Sequence, residues 1–206
     1  MQVEAVVFDI GNVLITWQPE RYFDTHIGEN RRKALFEAVD IHAMMVRIDQ
    51  GEVFGDVVEE TAMAHPDWTT EVRWMRDRWN AIAGPEISLS VRLLRALRAK
   101  GVACFALSNF GKENFPLSEA EFPFLKEFDR RYISGEMKMA KPDPAIYARV
   151  ESDCGLAPET LLVADDRQDN IEAAAARGWQ THLFTTPDRF ADDLVTRGLL
   201  TADEAQ

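Results

Sequence analysis

The sequence predicts an α/β fold: a Rossmann-like parallel sheet flanked by helices, with an all-helical cap inserted after the first strand. Three observations predict it. From residue 87 onward, short apolar runs alternate with stretches of helical spacing, the pattern of strands joined by crossover helices. Between residues 17 and 84 no run reads as a strand. The 206 residues exceed one average domain, which runs to about 100–150 residues, so a core plus an insert fits. We expect residues 1–16 and 85–206 to form the core and residues 17–84 the helical cap.

Each element has its own reason. Val3 to Phe8 is a short β-branched run that suits a buried strand, and Asp9-Ile-Gly-Asn12 is a turn signal. Helices are expected over 19–27 and 30–40, broken near Gly28, and over 53–64 and 69–82, broken by His65-Pro66-Asp67. A polar break falls at 48–54, and Ala83-Gly84-Pro85 closes the block. Residues 87–100 have Leu89, Leu93, Leu94 and Leu97 at helical spacing and stop at Gly101. Val102 to Leu107 is a strand; 110–128 is part-helical, interrupted by Pro116 and Pro123; Tyr132-Ile133 is a short strand. Asp143 to Asp153 is a helix with Pro144 in its first turn and Gly155 past its end. A strand at 161–164, a helix at 169–177 ended by Gly178, a strand at 181–184 and a helix within 187–198 complete the chain.

Composition excludes several function classes. A 46% hydrophobic chain is not disordered. With 23 Lys+Arg against 35 Asp+Glu, the net charge of −12 argues against nucleic acid and against an anionic membrane surface. A small anionic substrate stays open, because one local site can reverse the global field. Cys104 and Cys154 make neither a disulfide framework nor a metal cluster, and Cys104 reads as a small buried hydrophobe. No secretory signal and no apolar run near the roughly 20 residues of a membrane span is present. The expectation is a soluble cytoplasmic protein whose oligomeric state stays open, a homodimer included.

In parallel α/β sheets ligands bind beyond the carboxyl ends of the strands. The expected strands end in Asp9, in Ser108-Asn109 and in Asp165-Asp166, and Lys141-Pro-Asp-Pro144 sits at a helix entrance. Alone, each has a bland reading: a turn carboxylate, a helix cap, a helix start, an acidic pair facing a helix dipole. Together they bring carboxylates, a hydroxyl, an amide and an ammonium to one crevice. That set suits phosphoryl transfer. A carboxylate attacks phosphorus and splits one displacement into two. Crowded carboxylates call for a hard cation, Mg²⁺. Ser108, backbone N–H groups and Lys141 hold the non-bridging oxygens.

Val-Val-Phe-Asp9-Ile-Gly-Asn-Val-Leu, Ala-Leu-Ser108-Asn109, Lys141-Pro-Asp-Pro-Ala-Ile-Tyr147 and Leu-Val-Ala-Asp165-Asp166-Arg-Gln-Asp-Asn170 resemble the four motifs of the haloacid dehalogenase superfamily. The resemblance spans residues 3 to about 184. It implies Asp9 as nucleophile and metal ligand, Gly11 as a backbone-carbonyl ligand, and Ser108 and Lys141 as phosphoryl-binding groups. Asp166 is then the main ligand of the fourth motif, Asp165 a second or outer carboxylate, and Asn170 a brace for the loop.

One departure matters. Phosphatases and phosphomutases of the superfamily carry a second Asp two residues after the nucleophile, and here that position is Gly11. A positioned acid–base group contributes roughly 10²–10⁴-fold. Its loss weighs against a phosphomutase and leaves a phosphatase whose leaving group is good, or whose proton comes from a cap residue or a water. The Asp-x-Gly-Asn form resembles a branch that includes α-D-glucose-1-phosphate phosphatases. The expected activity is therefore Mg²⁺-dependent hydrolysis of a small phosphorylated metabolite, such as a sugar phosphate, through an aspartyl-phosphate. The alternatives are an L-2-haloacid dehalogenase and a binding protein that has lost turnover. Within the cap, the break Asp49-Gln50-Gly51-Glu52 is expected to reach over the crevice, with Gln50 and Glu52 contacting substrate. Trp68, Trp74 and Trp79 are expected in the cap core, Arg73, Arg76 and Arg78 paired or solvated. The four histidines have no role assigned, and Tyr147 either faces the crevice or packs.

Overall fold

The computed structural model describes residues 2–206. β1 (Ala5–Phe8) is followed at once by Asp9 and a turn. β2 (Ile15–Trp17) then leads into six helices: α1 (Pro19–Ile27), α2 (Glu29–Ala38), α3 (Ile41–Asp49), α4 (Phe54–Ala64), α5 (Thr69–Asp77) and α6 (Trp79–Ile82). β3 (Ala83–Glu86) returns antiparallel to β2, pairing Ile15 with Glu86 and Trp17 with Ala83. After it come α7 (Ser88–Ala99), β4 (Ala103–Ser108), α8 (Asn114–Glu121), β5 (Arg130–Ile133) and α9 (Ser134–Met137). α10 (Pro144–Cys154), β6 (Leu161–Asp165), α11 (Gln168–Ala176), β7 (Gln180–Leu183) and α12 (Pro187–Thr196) finish the chain. No helix among the described residues is long and apolar enough to cross a membrane.

Three features differ from the sequence reading. The two-stranded ribbon β2–β3 stands where no strand was expected; its strands are short, and Gly84-Pro85 reads as a break, tolerated here because a two-strand ribbon has free edges. α3 was not expected as a helix of its own. Asp40 reads as the end of α2, whereas its side chain accepts the Ala43 N–H at 2.8 Å and starts α3. The expected helix 69–82 is two, separated at Arg78.

The five-stranded sheet is parallel, in the order β5-β4-β1-β6-β7. Pleating sends alternate β1 residues to opposite faces. Val6 and Phe8 join Cys104, Ala106, Leu162 and Ala164 against Leu93, Leu97, Phe190 and Leu194 of α7 and α12. Ala5 and Val7 join Phe105, Leu107 and Val163 against Ile146, Tyr147 and Trp179. Burial on both faces is why these strands read as unbroken apolar runs. The register sets the site: Phe8 lies beside Ala106 and Ala164, and the Asp9 N–H donates to the Ala164 carbonyl at 2.9 Å. Asp9 therefore emerges where β4 and β6 also end.

The helical segment docks onto the core at the end of α3. Gly51 has φ +100°, and a Cβ there would sit 2.8 Å from the Gly135 carbonyl oxygen. A Cβ on Gly111 would collide with Ile48. Glycine at both places lets the α3 tip approach the core backbone closely. Phe54 N–H also donates to Glu113 Oε2 at 2.9 Å, and Trp79 Nε1–H to Ser118 Oγ at 2.8 Å.

Candidate active site

Asp9 stands at the carboxyl end of the central strand with 7% of its surface exposed. Its Oδ1 accepts from the Ile10 N–H at 2.7 Å and from the Ser108 hydroxyl at 2.7 Å, and lies 3.0 Å from Lys141 Nζ. Three donors fix one oxygen; among the described residues none holds Oδ2. Burial pushes the Asp9 carboxyl above its ordinary range, with Lys141 pulling it back.

Lys141 Nζ also lies 2.6 Å from Asp165 Oδ2. Burial alone would lower the lysine, but the charges of Asp9 and Asp165 outweigh it and hold it above its usual value. Asp165 spends both oxygens: Oδ1 accepts from Arg167 N–H and Asn170 Nδ2, and Oδ2 from Lys141 and Asn170. Asp166 Oδ2 accepts from Asn12 Nδ2 at 3.0 Å, and burial raises its pKa. Ligand oxygens of Asp9, Asp165 and Asp166 lie within 4.8 Å of one another. Three carboxylates against one lysine leave about two negative charges on hard oxygens, a donor set that fits a divalent Mg²⁺-like cation. Gly11 lines the same cavity.

The cavity holds about 510 Å³ between core and helical segment. Its charged end is Asp9, Ser108, Lys141 and Asp166; its other walls include Ile10, Trp17, Met45, Val46, Trp79 and Phe110. The Trp17 and Trp79 rings lie 5.2 Å apart.

The structure thus brings together Asp9, Gly11, Ser108, Lys141, Asp165 and Asp166. Of the residues expected at the crevice, two are engaged with other groups of the protein. Asn109 borders the cavity, but its amide is spent on the Lys141 backbone, Nδ2 donating to the carbonyl at 2.9 Å and Oδ1 accepting the N–H at 2.8 Å. It aims the lysine rather than reaching for a ligand. Glu52 is turned away from the cavity: Arg47 forks onto it at 2.9 and 2.7 Å, a pairing that the exposed loop makes cheaper than reaching inward. Gln50 does line the cavity, beside Asp49.

Asp49 is the last residue of α3 and makes no side-chain hydrogen bond or ion pair among the described residues. Burial first and the charge of Asp9 second raise its pKa to about 7 against the pull of Lys141. Asn114, fully buried at the start of α8, lines the cavity with both amide atoms unpartnered. The sequence gives Asn114 no signal beyond its place after Ser108. Asn12 (φ 55°) was legible only as part of a turn, yet it ties Asp166 to the Trp17 N–H, accepted at 2.9 Å. Tyr147 packs in the core and donates to the Asn170 carbonyl at 3.0 Å. Arg73 pairs with Glu59, Arg76 with Asp77, and Arg78 covers the Trp74 ring, all outside the cavity. His42 lines the cavity wall. Burial pushes the Cys104 thiol up to about 12, which leaves it inert.

A parallel sheet with a buried carboxylate, a buried lysine and an acidic cluster at its carboxyl edge defines a hydrolase of the haloacid dehalogenase type. The comparisons agree: the haloacid dehalogenase-like hydrolase family matches residues 3–178, and the chain belongs to that family. It is 23% identical to a phosphorylated carbohydrates phosphatase of Thermotoga maritima, over 85% of this chain and 82% of that one. It is 23% identical to a sesquiterpene phosphatase of Aspergillus oryzae, over 85% and 86%. A haloacid dehalogenase family enzyme of Bacteroides thetaiotaomicron, solved with magnesium and inorganic phosphate, shares the fold with a TM-score of 0.70 at 24% identity, over 89% of this chain and 95% of that one.

Proposed function

We propose that the protein is a Mg²⁺-dependent phosphatase that hydrolyses a small phosphate monoester through an aspartyl-phosphate. The observation that carries this is the Asp9 carboxylate, held at Oδ1 by Ser108, Lys141 and the Ile10 N–H and open at Oδ2. Asp9 Oδ2 attacks phosphorus, and water then releases phosphate and restores the carboxylate. Ser108 and Lys141 turn to the non-bridging oxygens as charge builds there. Asn109 fixes the lysine backbone, and Asp165 with Asn170 fixes its ammonium. Asp9, Asp166 and the Gly11 carbonyl would hold the cation, with Asp165 behind them. When bound, the ion neutralises charge on the nucleophile and phosphoryl group. Attack on carbon, as in a dehalogenase, would gain nothing from Asp166 crowded beside Asp9.

Residues 17–84 act as a cap that closes over the substrate. The two relatives act, by their names, on phosphorylated carbohydrates and on sesquiterpenes. Trp17, Trp79, Phe110, Ile10 and Met45 favour an alcohol with a broad apolar face over a fully hydrated sugar. A phosphate-ester panel in Mg²⁺, with glucose 1-phosphate, an aryl phosphate and a prenyl phosphate, tests this. Phosphate release abolished by chelator and by Asp9→Asn is expected; chelator-insensitive chloride release from a chloroalkanoate overturns it.

A further inference from the structure

The proposed hydrolysis needs a proton for the departing alcohol, and Gly11 cannot give one. We propose that Asp49 donates it: the carboxyl at the tip of α3 protonates the leaving oxygen and takes a proton back from the hydrolytic water. This rests on the phosphatase reading and assigns the acid–base group within it.

The other carboxylates and cations around the cavity are committed. Lys141 sits between Asp9 and Asp165. Asp166 accepts from Asn12, Asp143 from the Ala145 N–H, and Arg167 is forked onto Asp169. His42 is exposed and lies two turns up α3 from Asp49, roughly 10 Å along the helix axis. Asp49 alone combines a carboxyl, a place in the cavity wall and no partner.

Its location matches the geometry of the reaction. In an in-line displacement the nucleophile and the leaving oxygen lie on opposite sides of phosphorus. Asp9 rises from the core sheet, so the leaving oxygen faces the helical segment, the side from which Asp49 comes. The two are close enough for the Asp9 charge to act on Asp49. The α3 tip is held there by Ile48 against Gly111 and by Gly51 against Gly135. Asn114, unpartnered in the same wall, is free to orient the alcohol.

In the first half, the Asp9 Oδ2–phosphorus bond forms, the bond from phosphorus to the leaving oxygen breaks, and the Asp49 proton goes to that oxygen. In the second, water adds to phosphorus, its proton passes to the Asp49 carboxylate, and the bond from phosphorus to Asp9 breaks. Both carboxyls return to their starting states, and the products are alcohol and phosphate.

The test is pre-steady-state kinetics, with substrate in excess over enzyme, of wild type and Asp49→Asn in Mg²⁺, with 4-nitrophenyl phosphate and an unactivated alkyl phosphate. A nitrophenolate departs without a proton; an alkoxide does not. Asp49→Asn should release about one nitrophenolate per site in a near-normal burst, followed by slow turnover. Alkyl ester cleavage should fall roughly 10²–10⁴-fold. Equal losses on both esters, or no loss on the alkyl ester, overturn the assignment while leaving the phosphatase intact. A wild type inactive on both overturns the phosphatase reading and this assignment with it.

Discussion

Lys141 and Asp165 meet at 2.6 Å with side chains 1% and 0% exposed, so the ammonium is locked from behind before it faces Asp9. Removing one member of such a pair leaves an uncompensated buried charge, which costs about 3–5 kcal/mol. Lys141→Met should lower stability by that amount in urea unfolding and abolish phosphate release. A variant as stable as wild type would mean that the two carboxylates tolerate each other without the lysine.

The acidic cluster should bind metal in the folded state only. Mg²⁺ at a hundredfold excess over its Kd should stabilise the fold by about 2.7 kcal/mol. Asp166→Asn should remove most of the shift in melting temperature, because the carboxylate oxygens lie within 4.8 Å of one another and one ligand fewer opens the set. A full shift in that variant would place the cation elsewhere.

Asp49 should leave a signature in metal-free stability. Its carboxyl ionises near 3.8 in the unfolded chain and near 7 in the fold. Between those values the folded form keeps a proton that the unfolded form has lost. Stability is therefore fully present below about pH 4 and falls as pH rises to about 7. Asp49→Asn should match wild type at about pH 4 and exceed it by about 1–3 kcal/mol at about pH 8, the full shift being reduced by solvent access. Parallel urea curves at the two pH values decide; a constant difference would remove Asp49 from the pH dependence.

Gly51→Ala should damage the site without touching it. The side chain meets the Gly135 carbonyl and is strained at φ +100°; such strain costs about 1–3 kcal/mol. The α3 tip must then lift, taking Asp49 with it. We expect reduced thermal stability together with a loss of about tenfold or more on an alkyl phosphate. Unchanged kinetics would show that the tip does not set the site.

How much of this was legible in the sequence follows from how each residue is held. Asp9, Ser108 and Asp165 end strands buried on both faces, so a polar residue closing an apolar run marks the sheet edge. Asn109 sits in the same kind of position, but whether an amide faces a ligand or a backbone depends on where residue 141 lands after folding. Glu52 is occupied for a related reason, since Arg47 lies five residues back in α3 and pairs with it. α3 stayed hidden because an aspartate that starts one helix looks like the end of the one before. Asn114 and Asp49 acquire meaning only from the cavity that α3, the start of α8 and the turn after β1 line together.

The placement of β1 at the middle of the sheet has a consequence for how the molecule is made. Ala5 pairs with Ala103 on one side and Leu161 on the other, so this strand is synthesised before either neighbour and waits for both. Until both arrive it is a bare Ala-Val-Val-Phe strip with two open edges, the kind of segment that seeds misassociation. Such long-range closures slow folding. Recovery from denaturant should accordingly be concentration-sensitive, with yield improving on dilution.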